Sequence, residues 1–205
     1  MTAIRRLLIL LFAGFIAVPF PLAAAQEPTD FISELGARAI SELTAKDLSQ
    51  ADRESKFRLL LSEHFDLPAI GRFVLGRHWK VATDSEKTEF LKLFEDFVVR
   101  SYAVRFSGYS GETFTVRGST PGPKNTTVVH SKVLRNNAEP IRVDWRVEPR
   151  GERLVITDII VEGVSMSVTQ RSEFASVIQS SGGKVEGLLE ALRNKTITAD
   201  TTGAE

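Results

Sequence analysis

No cysteine occurs among the 205 residues. Disulfides, cysteine-based metal sites and thiol catalysis are therefore excluded, and the fold must rest on its core alone. Histidine is scarce. Of the three, His64 lies on or near an apolar helical stripe, His78 sits beside Trp79 after a helix end, and His130 is mid-strand. None has a metal-ligand partner three or four residues on, so no metal site is expected. Net charge is missing too, with 26 basic residues against 26 acidic ones and no obvious basic block. That balance gives no support for nucleic-acid binding. There is no G-x-S-x-G elbow and no P-loop. After the N-terminal segment, no apolar run approaches the roughly 20 residues that span a membrane.

The chain opens with the features of a leader. Arg5 and Arg6 precede the apolar run Leu7–Val18, and Ala23-Ala24-Ala25 offers a small-residue cleavage site before Gln26. Pro19 and Pro21 break the run, which favours a cleavable signal peptide over residues 1–25 rather than a membrane anchor. The remaining 180 residues carry 24 basic and 26 acidic side chains, and suffice for one domain with a sizeable core. An exported chain without disulfides suits a bacterial periplasm. Residues 26–195 are read as one domain and the polar stretch 196–205 as a disordered tail.

Helical spacing governs the first half. Thr29 or Asp30 can cap a helix running to about Thr44, with Phe31, Ile32, Leu35, Ala39 and Leu43 on one stripe. Ser49 and Asp52 have capping-box spacing, ahead of a helix with Phe57, Leu60, Leu61 and His64 inward. Asp66 can cap a short helix with Pro68 in its first turn, Phe65 and Ile70 at staple positions, and Gly76 at its end. Its apolar residues exceed what one face of such a helix needs, so either more protein or a ligand should cover them. Thr83 and Glu86 form a second box, opening the longest helix, about Asp84 to Phe106, with Phe90, Phe94 and Phe97 on one stripe.

From Glu112 the apolar period becomes two. Four strands are expected: about Glu112–Arg117, Thr126–Leu134, Pro140–Glu148 and Arg153–Val161, with turns at Thr120–Lys124, Asn136-Asn137 and Pro149–Glu152. Short connections imply an antiparallel meander. The third strand alternates Ile141, Val143, Trp145 and Val147 with Arg142, Asp144, Arg146 and Glu148. Water should cover its charged face and helices the other. Two helices should follow Gly163, split at Gly182-Gly183. The expected fold is α+β, with about six or seven helices around a curved four-stranded sheet.

Chemistry-bearing groups are few. Asp158 and Asp144 are the candidates for a buried general base, although Asp144 between Arg142 and Arg146 also reads as a solvated cross-strand ladder. The abundant signal is apolar, on the long helix and the two central strands. Composition does not separate a filled core from one that holds a ligand.

Two segments carry a resemblance. FDLPAIGRFVLGRHW (65–79), followed by TDSEKTEFLKLFEDFVVRSYAVRF (83–106), resembles the signature of the MlaC / toluene-tolerance family of periplasmic phospholipid-binding proteins. DIIVEGVS (158–165) and QRSEF (170–174) are similar to its second signature, and the resemblance covers about residues 30 to 195. It implies a strongly twisted antiparallel sheet wrapped by helices, a cystatin-like or nuclear-transport-factor-like cone around an apolar cavity. It implies a non-enzymatic carrier without cofactor, moving phospholipid between an outer-membrane lipoprotein complex and an inner-membrane ABC transporter with its periplasmic lipid-binding subunit. That transport maintains outer-membrane lipid asymmetry in Gram-negative bacteria. A monomer is expected.

The lipid-binding residues expected on this basis are Val74, Phe94, Phe97, Tyr102, Val143, Trp145, Ile159, Val161 and Val164. Trp79 is expected near the rim. Arg72 and Arg77 either meet the headgroup phosphate or are simply solvated. Three alternatives stand beside this reading: a hopanoid-associated lipid carrier, a small enzyme on a cone-shaped fold using Asp158 or Asp144, and an interaction domain closed without a cavity.

Overall fold

The computed structural model describes residues 26–136 and 138–202, with side chains to Lys195. The expected leader, residues 1–25, lies outside the described residues, as do Asn137 of one expected turn and the last three residues of the expected tail.

Local signals account for most helix boundaries. α1 (Pro28–Leu43) starts slightly earlier than expected, with Pro28 in its first turn after Glu27 and no side-chain cap. α2 (Gln50–His64) is capped by Ser49, whose Oγ accepts the Asp52 N–H at 3.1 Å. α3 (Leu67–Leu75) is capped by Asp66, which accepts the Ala69 N–H at 3.1 Å. Gly76 ends α3 at φ +59°, where a Cβ would be strained. A 3-10 turn follows over Gly76–Lys80. The Thr83/Glu86 capping box is complete in both directions and opens α4 (Asp84–Ala103). The expected helix to Phe106 is corrected at its end: from Val104 to Gly108 the chain tightens into a 3-10 segment.

Among the described residues the sheet has five strands, not the expected four. β1 (Thr113–Pro121), β2 (Thr127–Arg135), β3 (Ala138–Arg150) and β4 (Arg153–Val161) form the expected antiparallel meander. β5 (Val164–Ser165) then pairs back on β4 across a two-residue turn. Glu162 and Gly163 in that turn have φ +49° and +81°, the paired positive values that match strand twist in tight hairpins. Glu162 also accepts the Arg142 N–H through its carboxylate, and its own N–H donates to the Arg142 carbonyl at 3.0 Å. Two residues are too few to display a period of two, so sequence pattern passes over β5. A bulge between the β3 and β4 registers pairs Val147 with Ile156 but Trp145 with Ile159. Ile156 and Ile159 therefore face the same side.

α5 (Met166–Ser180) and α6 (Val185–Thr202) complete the chain. Ser165 caps α5 by accepting the Val168 N–H at 3.2 Å. α6 continues past Thr196, into the stretch that lacks an apolar period.

Two buried clusters form. One gathers α3 to α6 around Val74, Phe90, Phe94, Phe174, Ile178 and Leu188. Phe90 and Phe94 stack at 5.7 Å, and Phe174 meets them edge-on at 6.0 and 6.2 Å. The other joins α1 and α2 to the sheet through Ile32, Leu43, Leu60, Val129, Val147 and Ile156. Phe65 and Ile70, at the staple positions, belong to different clusters. The outer face of β3 is drier than the charge alternation implies, since the Asp144 side chain is only 13% exposed.

Candidate functional site: an apolar pocket between two cores

A pocket of about 750 Å3 lies between the two clusters. α1 contributes Leu35, Gly36, Ala39 and Ile40, and α2 contributes Phe57, Leu60 and Leu61. α3 presents Leu67, Ile70 and Val74, at helical spacing on one face. α4 adds Phe94, Val98 and Tyr102, and the sheet supplies Phe114, Val143, Trp145, Ile159 and Val161 among others. The Trp145 indole N–H donates to Ser131 Oγ at 2.9 Å, and that hydroxyl donates to the Val143 carbonyl at 2.6 Å. The polar end of the ring is satisfied, so its apolar body can face the pocket. Phe114 meets the indole edge-on at 6.1 Å.

Polar lining falls into two groups. Arg105, Tyr109, Glu112 and Arg135 form one. The Ser110 N–H and hydroxyl donate to the Glu112 carboxylate at 2.8 and 2.9 Å, and these bonds hold its pKa below the usual range. Arg105, Gly108 and Arg135 are the exposed lining residues, and they mark where the pocket meets solvent. Asp158, Ser167 and Gln170 form the second group.

Asp158 is fully engaged. It accepts from Arg146 Nη1 at 3.2 Å, from Ser165 Oγ at 2.6 Å and from the Ser167 N–H at 3.1 Å. These bonds tie the start of α5 to the sheet. A general base needs a lone pair turned toward substrate, and three donors already crowd this carboxylate. Asp144 does not line the pocket. It lies 3.0 Å from His130 Nδ1 and 3.7 Å from Arg142 Nε, while His130 Nε2 lies 3.0 Å from Thr120 Oγ1. His64 is a rim-of-core residue, with its ring 5.6 Å from Phe31 and Nδ1 3.0 Å from the Leu60 carbonyl. Burial, and then the Arg77 charge, push His78 below its ordinary pKa. Among the described residues, no group of three or more carboxylates and histidines is placed to hold a metal.

Of the residues expected to bind lipid, Val74, Phe94, Tyr102, Val143, Trp145, Ile159 and Val161 line this pocket. Phe97 does not. It packs on Phe174 at 5.8 Å, beneath the Lys195 ammonium at 5.3 Å. Val164 is 52% exposed on β5. Trp79, Arg72 and Arg77 are not among the residues that line this pocket. They line a second pocket, of about 530 Å3, on the other face of α3, and share no lining residue with the first. Sequence reasoning missed the α1 wall, Phe57, Phe65 and Phe114. It also missed Arg105 and Arg135, whose meeting depends on contact between segments far apart in sequence.

The comparisons agree with this architecture. Over 85% of its length the chain superposes on 99% of a phospholipid-binding protein from Ralstonia solanacearum, solved in complex with a phospholipid, at TM-score 0.74 and 23% identity. It is 22% identical over 192 residues to toluene tolerance protein Ttg2D of Pseudomonas putida, covering 91% of this chain and 88% of that protein. The MlaC protein family model matches residues 33–194. The chain belongs to the MlaC family.

Proposed function

We propose that the protein is a periplasmic phospholipid carrier, working between an outer-membrane lipoprotein complex and an inner-membrane ABC transporter to maintain outer-membrane lipid asymmetry. The observation that carries this reading is the apolar pocket between the two cores. Its volume of about 750 Å3 equals roughly 25 volumes of about 30 Å3, the share of one water in liquid. A methylene is of similar size, so most of two ordinary acyl chains fit. In this reading sheet and helices form a cone-like container, with its mouth at Arg105, Gly108 and Arg135.

Burying about 25 methylenes at about 0.8 kcal/mol each gives roughly 20 kcal/mol gross. That lies at the practical ceiling of non-covalent affinity, and release into water would be too slow to be useful. Transfer therefore runs between apolar sites in contact, where the free-energy difference is small. Docking partners are needed, and a catalytic step is not. Arg105 and Arg135 replace Arg72 and Arg77 as the cations offered to the headgroup phosphate, because they alone among these four line the pocket.

Support also comes from the Ralstonia protein, whose bound ligand is a phospholipid. Protein exported by a Gram-negative host should yield phospholipid on solvent extraction and mass spectrometry. A polycyclic triterpenoid in place of phospholipid would assign the cargo to the hopanoid class. Folded protein that carries no lipid and takes none up would overturn the carrier reading.

A further inference from the structure

α3 divides two chemically opposite spaces. Leu67, Ile70 and Val74 face the apolar pocket, while Ala69, Arg72, Phe73 and Gly76 face the second pocket. That second space is lined further by Arg77, Trp79 and Lys80 from the 3-10 turn and by Arg171 from α5. Arg72, Arg77, Lys80 and Arg171 are all exposed, and among the described residues none of them forms an ion pair. Elsewhere arginines are commonly paired, as Arg58 is with Glu95 and Asp96 and Arg193 with Glu89 and Glu186. Among the described residues, no acidic one lines the second pocket. In a chain of zero net charge, this is a local concentration of one sign.

Exposed apolar side chains lie on this lining, in Phe73, and next to it in sequence, in Val81 after Lys80 and in Val168. Phe73 is 42% and Val81 75% exposed, and Val168 lies one turn before Arg171 on α5 at 51%. Arg171 is held in position: its guanidinium lies 5.1 Å over the Phe73 ring, and a Cβ on Gly76 would come within 2.8 Å of its Nε.

We propose that this face docks the protein on the surface of an anionic bilayer. Four cations without acids meet a plane of phosphates favourably. Phe73, Val81 and Val168 are placed to enter the headgroup boundary, and Trp79 has the amphipathic ring favoured at that depth. The pocket lining has no acid and no neutral hydrogen-bonding side chain apart from the Trp79 indole. These side chains only donate, so a protein partner's own N–H and O–H groups would find no side-chain acceptor here, whereas a headgroup phosphate layer consists of acceptors. Docking goes beyond carriage and does not depend on it.

The test is co-sedimentation of the exported protein with vesicles of phosphatidylcholine alone and with vesicles containing phosphatidylglycerol at a ratio of roughly 7:3. Binding should appear on the anionic vesicles only and disappear at high salt. Combining Arg72→Ala, Arg77→Ala and Lys80→Ala should weaken it on the order of a hundred-fold. Arg72→Lys with Arg77→Lys should keep it within about three-fold, since a lipid surface responds to charge more than to guanidinium shape. Lys46→Ala, Arg117→Ala and Lys132→Ala together remove the same charge elsewhere and should leave binding intact. Equal binding to both vesicle types, or none to either, overturns the proposal. So does unchanged binding by the first triple variant, or equal loss in the lysine variant, which would indicate recognition by guanidinium shape and not by charge. Lipid content is measured on the same samples. Wild-type protein that binds anionic vesicles but carries no lipid and takes none up would refute carriage and leave docking standing.

Discussion

Asp158→Ala tests whether this buried carboxylate is a structural tie or a reactive group. The substitution removes the acceptor for three donors: Arg146 Nη1, Ser165 Oγ and the Ser167 N–H. Arg146 is 37% exposed, so it rehydrates at little cost. Ser165 Oγ keeps a neighbour in Ser167 Oγ at 3.3 Å. The Ser167 N–H has no such escape, because its residue is 7% exposed. An unsatisfied buried donor costs about 1–3 kcal/mol, and the remaining losses bring the sum to about 2–4 kcal/mol. At a urea slope of about 2 kcal/mol per molar, the unfolding midpoint should fall by about 1–2 M. Asp158→Asn keeps one acceptor oxygen and should lose about half as much. Lipid carried per folded molecule should not change. A variant as stable as wild type would refute the idea that this carboxylate ties α5 to the sheet. A more stable variant would instead mark stored functional strain and revive the enzyme reading.

Other expectations follow from the same geometry. Thr83→Ala removes the hydroxyl that accepts the Glu86 N–H at the start of α4, leaving only the bond from its own N–H to the Glu86 carboxylate, and should cost about 1 kcal/mol in denaturant titrations. His78 has a folded pKa below its ordinary 6.5, chiefly through burial. Its neutral form is therefore favoured by folding, and the stability involved is complete above about pH 6.5 and lost as pH falls toward the folded value. His78→Gln should flatten that part of the unfolding midpoint curve between about pH 7 and about pH 5. Val143→Asp places a charge in the apolar pocket and should remove most extractable lipid, whereas Val164→Asp, at an exposed position, should leave lipid content unchanged. Gly76→Ala forces a Cβ at φ +59° against Arg171, and thermal melts should report a loss of about 1–2 kcal/mol.

Features set by neighbours in sequence were legible before the structure. Ser49, Asp66, Thr83 and Gly76 mark their helix ends through bonds only a few residues long. The meander was legible because its turns are short. What escaped depends on distant parts of the chain. Phe94 and Phe97 share one helical stripe and both meet Phe174 on α5, yet only Phe94 also lines the pocket. The surplus on α3 was visible, but not that its apolar and cationic residues serve separate spaces. Arg105 and Arg135 lie thirty residues apart and meet at one pocket only because a strand pair brings them there.

The division of the apolar residues into two clusters bears on how the protein behaves when empty. Each half is packed within itself, and over much of their boundary the halves face each other across the pocket. Under the carrier reading, bound acyl chains fill that gap and serve as interior shared by both. Cargo then acts as a removable structural part. Its departure should lower the free energy of opening at the boundary more than within either half. Amide exchange would register this as faster exchange along α3 and the facing strands in delipidated protein, with Phe90 and Ile32 unaffected. Handing over a lipid and softening the container become one event, so a carrier that has just delivered is the form most ready to reopen.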